Sequence, residues 1–139
     1  MIGLDTNALI RLLTEDDAAQ AASVRRRLAK LDQIAESVLI NNVVLVETLW
    51  VLTRVYGFDR HTLQMVLEKL LSASTFGFED RSVVTTAFAH FQTTTADFSD
   101  CLIAAQNAQL GCDVTITFDR GMAQLPMVEV LQAKSSGGR

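Results

Sequence analysis

The sequence has little of what marks several common protein classes. Its 139 residues include one proline and two cysteines, Cys101 and Cys112. Two cysteines at this spacing form neither a disulfide framework nor a C-x-x-C motif, which favours a reducing compartment. No apolar run is long enough to span a membrane, and the early acid Asp5 is not typical of a signal peptide. We therefore expect a cytoplasmic protein without a membrane segment.

An excess of basic residues is also missing. The formal net charge is −4, which argues against a strong nonspecific nucleic-acid binder, because such proteins are usually basic. The first thirty residues nevertheless contain a basic stripe formed by Arg11, Arg25–Arg27 and Lys30. Two bound divalent cations would cancel the net charge, so the acidic balance is weak evidence against a nucleic-acid substrate.

Several catalytic motifs are absent as well. The sequence contains no Walker loop and no dinucleotide-binding glycine pattern. His61 and His90 are not at the spacing of metal ligands, and no serine or cysteine has a recognisable base partner. These absences leave the carboxylates as the candidate chemical groups.

What the sequence does contain is an alternation of short apolar strands and helices. Strands are predicted at 1–4, 37–40, 75–78, 114–118 and 128–131, with about seven helices between them. This pattern predicts an α/β fold, a three-layer α/β/α sandwich around a short-stranded, mainly parallel five-stranded sheet. We expect a single domain over residues 1–133 and a flexible tail at 134–139.

Two of the predicted strands end at an acid, Asp5 and Asp119. In an open parallel sheet, ligands bind beyond the carboxyl ends of the strands, so both acids are candidate site residues. Asp97 and Asp100 stand at the start of a predicted helix. For each of these acids, helix capping or an interaction with the helix dipole is an equally good interpretation when the acid is considered alone.

Glu47 interrupts a strongly apolar helix and has no charged neighbour between Asn42 and Thr53. We expect its carboxylate to be buried, which is costly unless a partner or a metal ion compensates it. An ion pair with Arg54, on the same helix face, is the alternative explanation. Clustered carboxylates of this kind suit Mg²⁺ or Mn²⁺.

Taken together, these motifs resemble the PIN-domain ribonucleases, and within them the VapC-like toxins of bacterial toxin–antitoxin modules. The resemblance covers nearly the whole chain. The matching segments are Leu4-Asp5-Thr6-Asn7 with residues 9–13, residues 41–47 with 50–52, Asp97-Phe98-Ser99-Asp100 with residues 102–105, Gly111-Cys112, and Thr117-Phe118-Asp119.

The resemblance implies metal-assisted hydrolysis of RNA, with 5′-phosphate and 3′-hydroxyl products. It implies one or two Mg²⁺ or Mn²⁺ ions, a cognate antitoxin protein and a homodimer. The catalytic acids would be Asp5, Glu47, Asp100 and Asp119, with Asp5, Asp100 and Asp119 as metal ligands. Asn7, Asp97 and Thr117 would support them, and the candidate phosphate contacts are Arg11, Arg25–Arg27, Arg54 and Arg120.

Two neighbouring acids have different expected roles. The Thr93–Thr95 run is a poor helix continuation, so the helix should begin near Phe98. Asp97 would then cap the helix with its carboxylate, and Asp100 would lie in the first turn, facing the site. Exposed apolar residues of the early helices, such as Ile10, Leu13, Val24 and Leu28, together with 43–52, could form a groove for an antitoxin helix.

Three other functions remain open at this point. A receiver-like signalling domain also has an acidic Mg²⁺ pocket, but Asp5 is followed by Thr6 rather than by further acids. A haloacid-dehalogenase-like phosphatase needs Asp-x-Asp after the first strand, and residue 7 is Asn. A non-catalytic RNA-binding or protein-binding module would keep the fold without needing the acids.

Overall fold

The computed structural model of the protein describes residues 1–134 and divides the chain into two compact units, Met1–Arg81 and Ser82–Arg139. The tail predicted at 134–139 lies outside the described residues, except for Lys134. In the described part of the chain, no helix is long and apolar enough to cross a lipid bilayer.

The first unit is a three-stranded parallel sheet with four helices. Its sheet has the order β1-β2-β3, and Ile2 aligns with Val38, which aligns with Phe76. In chain order the elements are β1 (Ile2–Gly3), α1 (Thr6–Thr14), α2 (Ala18–Leu28), a 3₁₀ turn (Ala29–Leu31), β2 (Val38–Ile40), α3 (Asn42–Arg54), α4 (Arg60–Ser72) and β3 (Phe76–Phe78).

Short polar side chains cap the N-termini of the four α-helices of this unit. At the start of α1, α2, α3 and α4, the residue before the helix accepts a hydrogen bond from a backbone N–H of the first turn. These capping residues are Asp5, Asp17, Asn41 and Asp59. After α3, Gly57 has a φ of 68°, a left-handed conformation that glycine adopts without strain.

The core of the first unit lies between the sheet and its helices. Val38 and Ile40 of β2 are fully buried, as are Leu45 and Leu52 of α3. Helix α1 packs against both α2 and α3. This packing fixes the start of α1 relative to α3, the two elements that carry Asp5 and Glu47.

The second unit begins in the first turn of the helix Arg81–Thr93, named α5, and contains a two-stranded parallel sheet. Thr115 of one strand aligns with Val128 of the other. The ring of Phe91, on α5, packs edge to face against the ring of Phe98, at the start of the next helix, with 5.8 Å between their centroids. The elements are α5 (Arg81–Thr93), α6 (Phe98–Gln109), β4 (Thr115–Thr117), a 3₁₀ turn (Arg120–Met122) and β5 (Val128–Val130).

The predicted α/β fold class is confirmed, and the parallel strands and helices are compatible with an α/β/α sandwich. Residues 1–134 contain the five expected strands, all paired in parallel. They form a sheet of three strands and a sheet of two, however, rather than one five-stranded sheet. Strands of only two or three residues form few ladder hydrogen bonds, so the division of the sheet is not readable from apolar runs.

Candidate active site

In the first unit, one surface pocket collects the polar residues that follow β1 and a face of α3. Asp5, Thr6 and Asn7 line it from the start of α1. The α3 face contributes Val44, Glu47, Trp50 and Val51. The pocket therefore joins the two acids predicted for this half of the chain, with Asn7 exposed beside them.

Asp5 has a structural role in addition to its candidate chemical one. One carboxylate oxygen accepts a hydrogen bond of 2.8 Å from the backbone N–H of Ala8 and caps α1. The capping interpretation of the sequence is therefore confirmed, and the chemical role of Asp5 stays a prediction. The cap fixes the rotamer of the carboxylate while leaving it exposed at the pocket.

Glu47 corrects one expectation, because its side chain is exposed rather than buried. The apolar run around it lies on α3, whose buried residues Leu45, Thr48, Leu49 and Leu52 lie on the other face of the helix. The alternative of an ion pair with Arg54 is also wrong, since within residues 1–134 Glu47 accepts a hydrogen bond from the hydroxyl of Thr6 instead. This bond ties the start of α1 to α3 at the pocket.

In the second unit, Asp100 is the acid with the most perturbed environment. It lies in the first turn of α6 and is half-buried. Burial raises the pKa of Asp100, and the neighbouring carboxylates of Asp119 and Asp97, together with a hydrogen bond to Asp119, raise it further. Within this unit, Asp100 therefore lies near two other acids, Asp119 and Asp97.

The predicted start of α6 at Phe98 is confirmed, but the capping role of Asp97 is wrong. The carboxylate of Asp97 accepts no capping hydrogen bond in the described residues, although its carbonyl accepts one from Cys101. The exposed carboxylate of Asp97 is instead one of the charges that raise the pKa of Asp100. The predicted core stripe of α6 also differs, since Ala104 is buried and Ala105 and Ala108 are only half-buried.

Asp119 is held after β4 by two local hydrogen bonds. Its backbone N–H donates to the hydroxyl of Thr117 at 3.0 Å, and its carboxylate accepts from the N–H of Gly121 at 2.8 Å. A Cβ at Gly121 would lie 3.0 Å from that carboxylate oxygen, which is too close to be accommodated freely. Thr117 therefore supports Asp119, as its place in the motif implied.

The donor chemistry of these acids suits a hard cation, because Mg²⁺ and Mn²⁺ prefer carboxylate oxygens. Residues 1–134 nevertheless contain no group of three or more His, Cys, Asp or Glu side chains arranged to hold a metal ion. Each unit holds candidate ligands, Asp5 in the first and Asp100 and Asp119 in the second. The side chains that each unit offers fit the cation in kind.

The arginines that are candidate phosphate contacts differ in the interactions that they already make with neighbouring side chains. Arg11 forms an ion pair of 2.9 Å with Asp16 and donates to Gln20, so its guanidinium joins α1 to α2. Arg25 forms an ion pair with Glu15. Arg54 lies over the ring of Trp50, and Arg120 is exposed in the 3₁₀ turn.

The predicted groove for a partner helix also changes. Ile10 is 2% exposed and therefore belongs to the core. Leu13, Val24 and Leu28 are half-buried on α1 and α2. A partner that bound this face would contact these three residues without Ile10.

Two functional contacts were missed from the sequence. The bond from Thr6 to Glu47 spans 41 residues, and the only signal was a hydroxyl next to the candidate acid in Asp5-Thr6-Asn7. The hydroxyl of Tyr56 donates to Asp16 at 2.6 Å and lowers the pKa of that acid, fixing the end of α3 to the α1–α2 connection. Neither contact follows from local periodicity.

Two comparisons with known proteins give matches that cover most of the chain. The family model described as PIN domain matches residues 2–127. A protein of Aquifex aeolicus (strain VF5) named VapC ribonuclease is 22% identical over 122 residues, which cover 88% of this chain and 90% of that protein. No solved structure matches the fold significantly.

Proposed function

Because the chain belongs to the PIN domain family, we propose that it is a metal-dependent endoribonuclease and the toxin of a toxin–antitoxin module. The observation that supports metal dependence best is the environment of Asp100. Its half-buried carboxylate lies beside those of Asp119 and Asp97, which is unfavourable while all three are charged. A divalent cation at these oxygens would remove that cost.

The proposed ligands are Asp5, Asp100 and Asp119. When bound, Mg²⁺ or Mn²⁺ would lower the pKa of a water molecule and neutralise charge on the phosphodiester. Cleavage by water would leave a 5′-phosphate and a 3′-hydroxyl. These carboxylates would hold one or two ions.

Glu47 is proposed as the residue that accepts the proton of the attacking water. The hydrogen bond from Thr6 occupies Oε1, so Oε2 is the atom we assign to proton transfer. Its exposure at the pocket gives this oxygen access to solvent and substrate. Asn7 beside it offers an amide that can donate to a phosphate oxygen.

The name of the relative, VapC ribonuclease, supports the ribonuclease proposal. We further propose a cognate antitoxin as the partner and a homodimer as the assembly. We propose the half-buried residues Leu13, Val24 and Leu28 as the contact face for an antitoxin helix. Light scattering at micromolar concentration should give the mass of a dimer, and native expression should co-purify a small protein. A monomer without a co-purifying partner would contradict both assignments.

The activity is tested by incubating total cellular RNA with the protein and Mg²⁺ and mapping the cleavage sites at nucleotide resolution. Asp5→Asn is the matched control, because asparagine caps a helix as well as aspartate does but carries no charge. We expect discrete cleavage by the wild type and none by the variant or in EDTA. RNA left intact by the wild type would contradict the proposal.

A further inference from the structure

Trp50 is the prominent pocket residue that the proposed chemistry leaves without a role. It is the only tryptophan of the chain, and 57% of its surface is exposed. It lies on α3 three residues after Glu47 and lines the same pocket as Asp5 and Glu47. The core of the first unit therefore does not account for this large aromatic ring.

A positive charge accompanies the ring. The guanidinium carbon of Arg54, one turn further along α3, lies 5.7 Å from the centroid of the Trp50 ring. This distance is within the range of a cation–π interaction. In the described residues Arg54 forms no ion pair, so its charge is not cancelled by a neighbouring carboxylate.

We propose that Trp50 and Arg54 bind an unpaired nucleotide of single-stranded RNA beside the phosphate that is cleaved, an inference that rests on the proposed ribonuclease function. The base stacks on the indole ring and the guanidinium contacts the adjacent backbone phosphate. The pocket places Trp50 next to Glu47, and Arg54 follows Trp50 by one turn of α3.

The chemistry of the patch favours a nucleotide over a protein helix. A protein helix that docks in a groove needs a continuous apolar surface. Here the ring is flanked by the charged groups of Glu47 and Arg54, and both of these residues are exposed. A flat π-surface with an adjacent cation matches a base with its phosphate, and it requires the base to be unpaired.

The single tryptophan makes the binding directly measurable. Emission from Trp50 is followed while a short single-stranded RNA is added in the presence of Ca²⁺, which binds carboxylate oxygens with flexible geometry and is a weaker Lewis acid than Mg²⁺. We expect strong quenching by the single strand and much weaker quenching by a duplex of the same sequence. Equal quenching by both would overturn the proposal.

Variants assign the effect to the ring. Binding of a fluorescently labelled single strand, followed by anisotropy, should weaken about tenfold in Trp50→Leu and change little in Trp50→Phe, which keeps an aromatic face. Met65→Ala is the matched control, since Met65 is 58% exposed on α4 and does not line the pocket. Thermal melting confirms that each variant is folded.

The outcomes separate this proposal from the ribonuclease function. If the wild type cleaves RNA and Trp50→Leu binds the single strand as tightly as the wild type, the nucleotide site is wrong, cleavage is unaffected and the face is a protein contact. If the wild type cleaves no RNA but the single strand quenches Trp50, the nucleotide site stands and the ribonuclease proposal fails. In an active enzyme, Trp50→Leu should raise KM several-fold and leave kcat nearly unchanged.

Discussion

The candidate acids of the two units have opposite surroundings. In the first unit, Asp5 and Glu47 each accept a hydrogen bond from their own chain, from the N–H of Ala8 and the hydroxyl of Thr6. In the second unit, Asp100 is half-buried beside the carboxylates of Asp119 and Asp97. Neutral donors satisfy Asp5 and Glu47, and Asp119 also accepts a hydrogen bond from Gly121, whereas Asp100 lies beside like charges that raise its pKa.

This difference separates positioning from charge. A carboxylate that accepts a hydrogen bond is oriented before substrate or metal arrives. A carboxylate that faces other carboxylates favours protonation or a cation, and burial increases this tendency. Removing metal should therefore affect the second unit more than the first.

The largest expected effect is on cleavage, from the loss of one charge at Asp5. Asp5→Asn should lower Mg²⁺-dependent RNA cleavage by orders of magnitude while leaving the free energy of unfolding nearly unchanged, because asparagine preserves the cap. Asp5→Ala should lose the same activity and about 1 kcal/mol of stability as well. Cleavage assays and urea unfolding measure the two quantities, and an active Asp5→Asn protein would remove Asp5 from the chemistry.

The second prediction concerns Asp100. Its pKa is raised in the folded protein, so folding takes up a proton at pH values between the ordinary and the raised pKa. At neutral pH the carboxylate is charged in both states, and its charge destabilises the folded protein. This cost is absent below the ordinary pKa of 3.8 and is complete above the raised pKa of the folded state. Asp100→Asn should therefore abolish cleavage and stabilise the metal-free protein at neutral pH, and the stabilisation should disappear in acid.

Thermal melting in EDTA across this pH range checks the stability effect, with Asp97→Asn as the control. Asp97 is exposed and makes no capping hydrogen bond, so its substitution should change stability less. Added Mn²⁺ should raise the Tm of the wild type more than that of Asp100→Asn. A metal-free Asp100→Asn protein less stable than the wild type at neutral pH would show that the carboxylate has a favourable partner.

A smaller effect is expected from Thr6, which positions Glu47 without taking part in proton transfer. Thr6→Val keeps the shape of the side chain and removes the donor, so cleavage should fall about tenfold or more, as when an outer-shell partner is lost. Thr6→Ser restores the hydroxyl and should restore the activity. Measured rates for the pair decide the point, because a Thr6→Val protein as active as the wild type would mean that the hydrogen bond to Glu47 is not needed.

The smallest effect is expected at Asp59, an acid that is not among the candidate site acids of either unit. Asp59 caps α4 through the N–H and hydroxyl of Thr62, and these hydrogen bonds lower its pKa. Its contribution to stability is present above the ordinary pKa of 3.8 and is lost as the pH falls through the lowered pKa. Asp59→Ala should lower the Tm slightly at neutral pH without changing cleavage, and Asp59→Asn, which preserves the cap, should do neither.

Local chemistry was predictable from the sequence, and contacts between distant residues were not. The cap at Asp5 was among the interpretations of the sequence, because a short acceptor before an apolar run is typical of a helix start. The burial of Glu47 was predicted wrongly because an apolar run does not reveal which face of its helix is covered. The α/β class followed from alternation, but the division into two sheets depends on hydrogen bonds between short strands.

The same distinction explains the errors at the site. Asp97 has the sequence of a cap, yet its carboxylate makes no capping hydrogen bond. The contact of Thr6 with Glu47 depends on the packing of α1 against α3, which the sequence does not specify locally. The candidate site residues were therefore named from the resemblance to a family, and their surroundings are known only from the structure.

The central claim is that carboxylates hold a divalent cation that activates water for RNA hydrolysis, and the chemistry of the cut ends tests it most directly. RNA cleaved with Mg²⁺ should carry 5′-phosphate and 3′-hydroxyl ends, which is shown by ligation of the fragments and by mass spectrometry, with no cleavage in EDTA or by Asp100→Asn. Ends with a 2′,3′-cyclic phosphate and a 5′-hydroxyl, formed equally in EDTA, would mean that the ribose 2′-hydroxyl attacks, and would contradict the account.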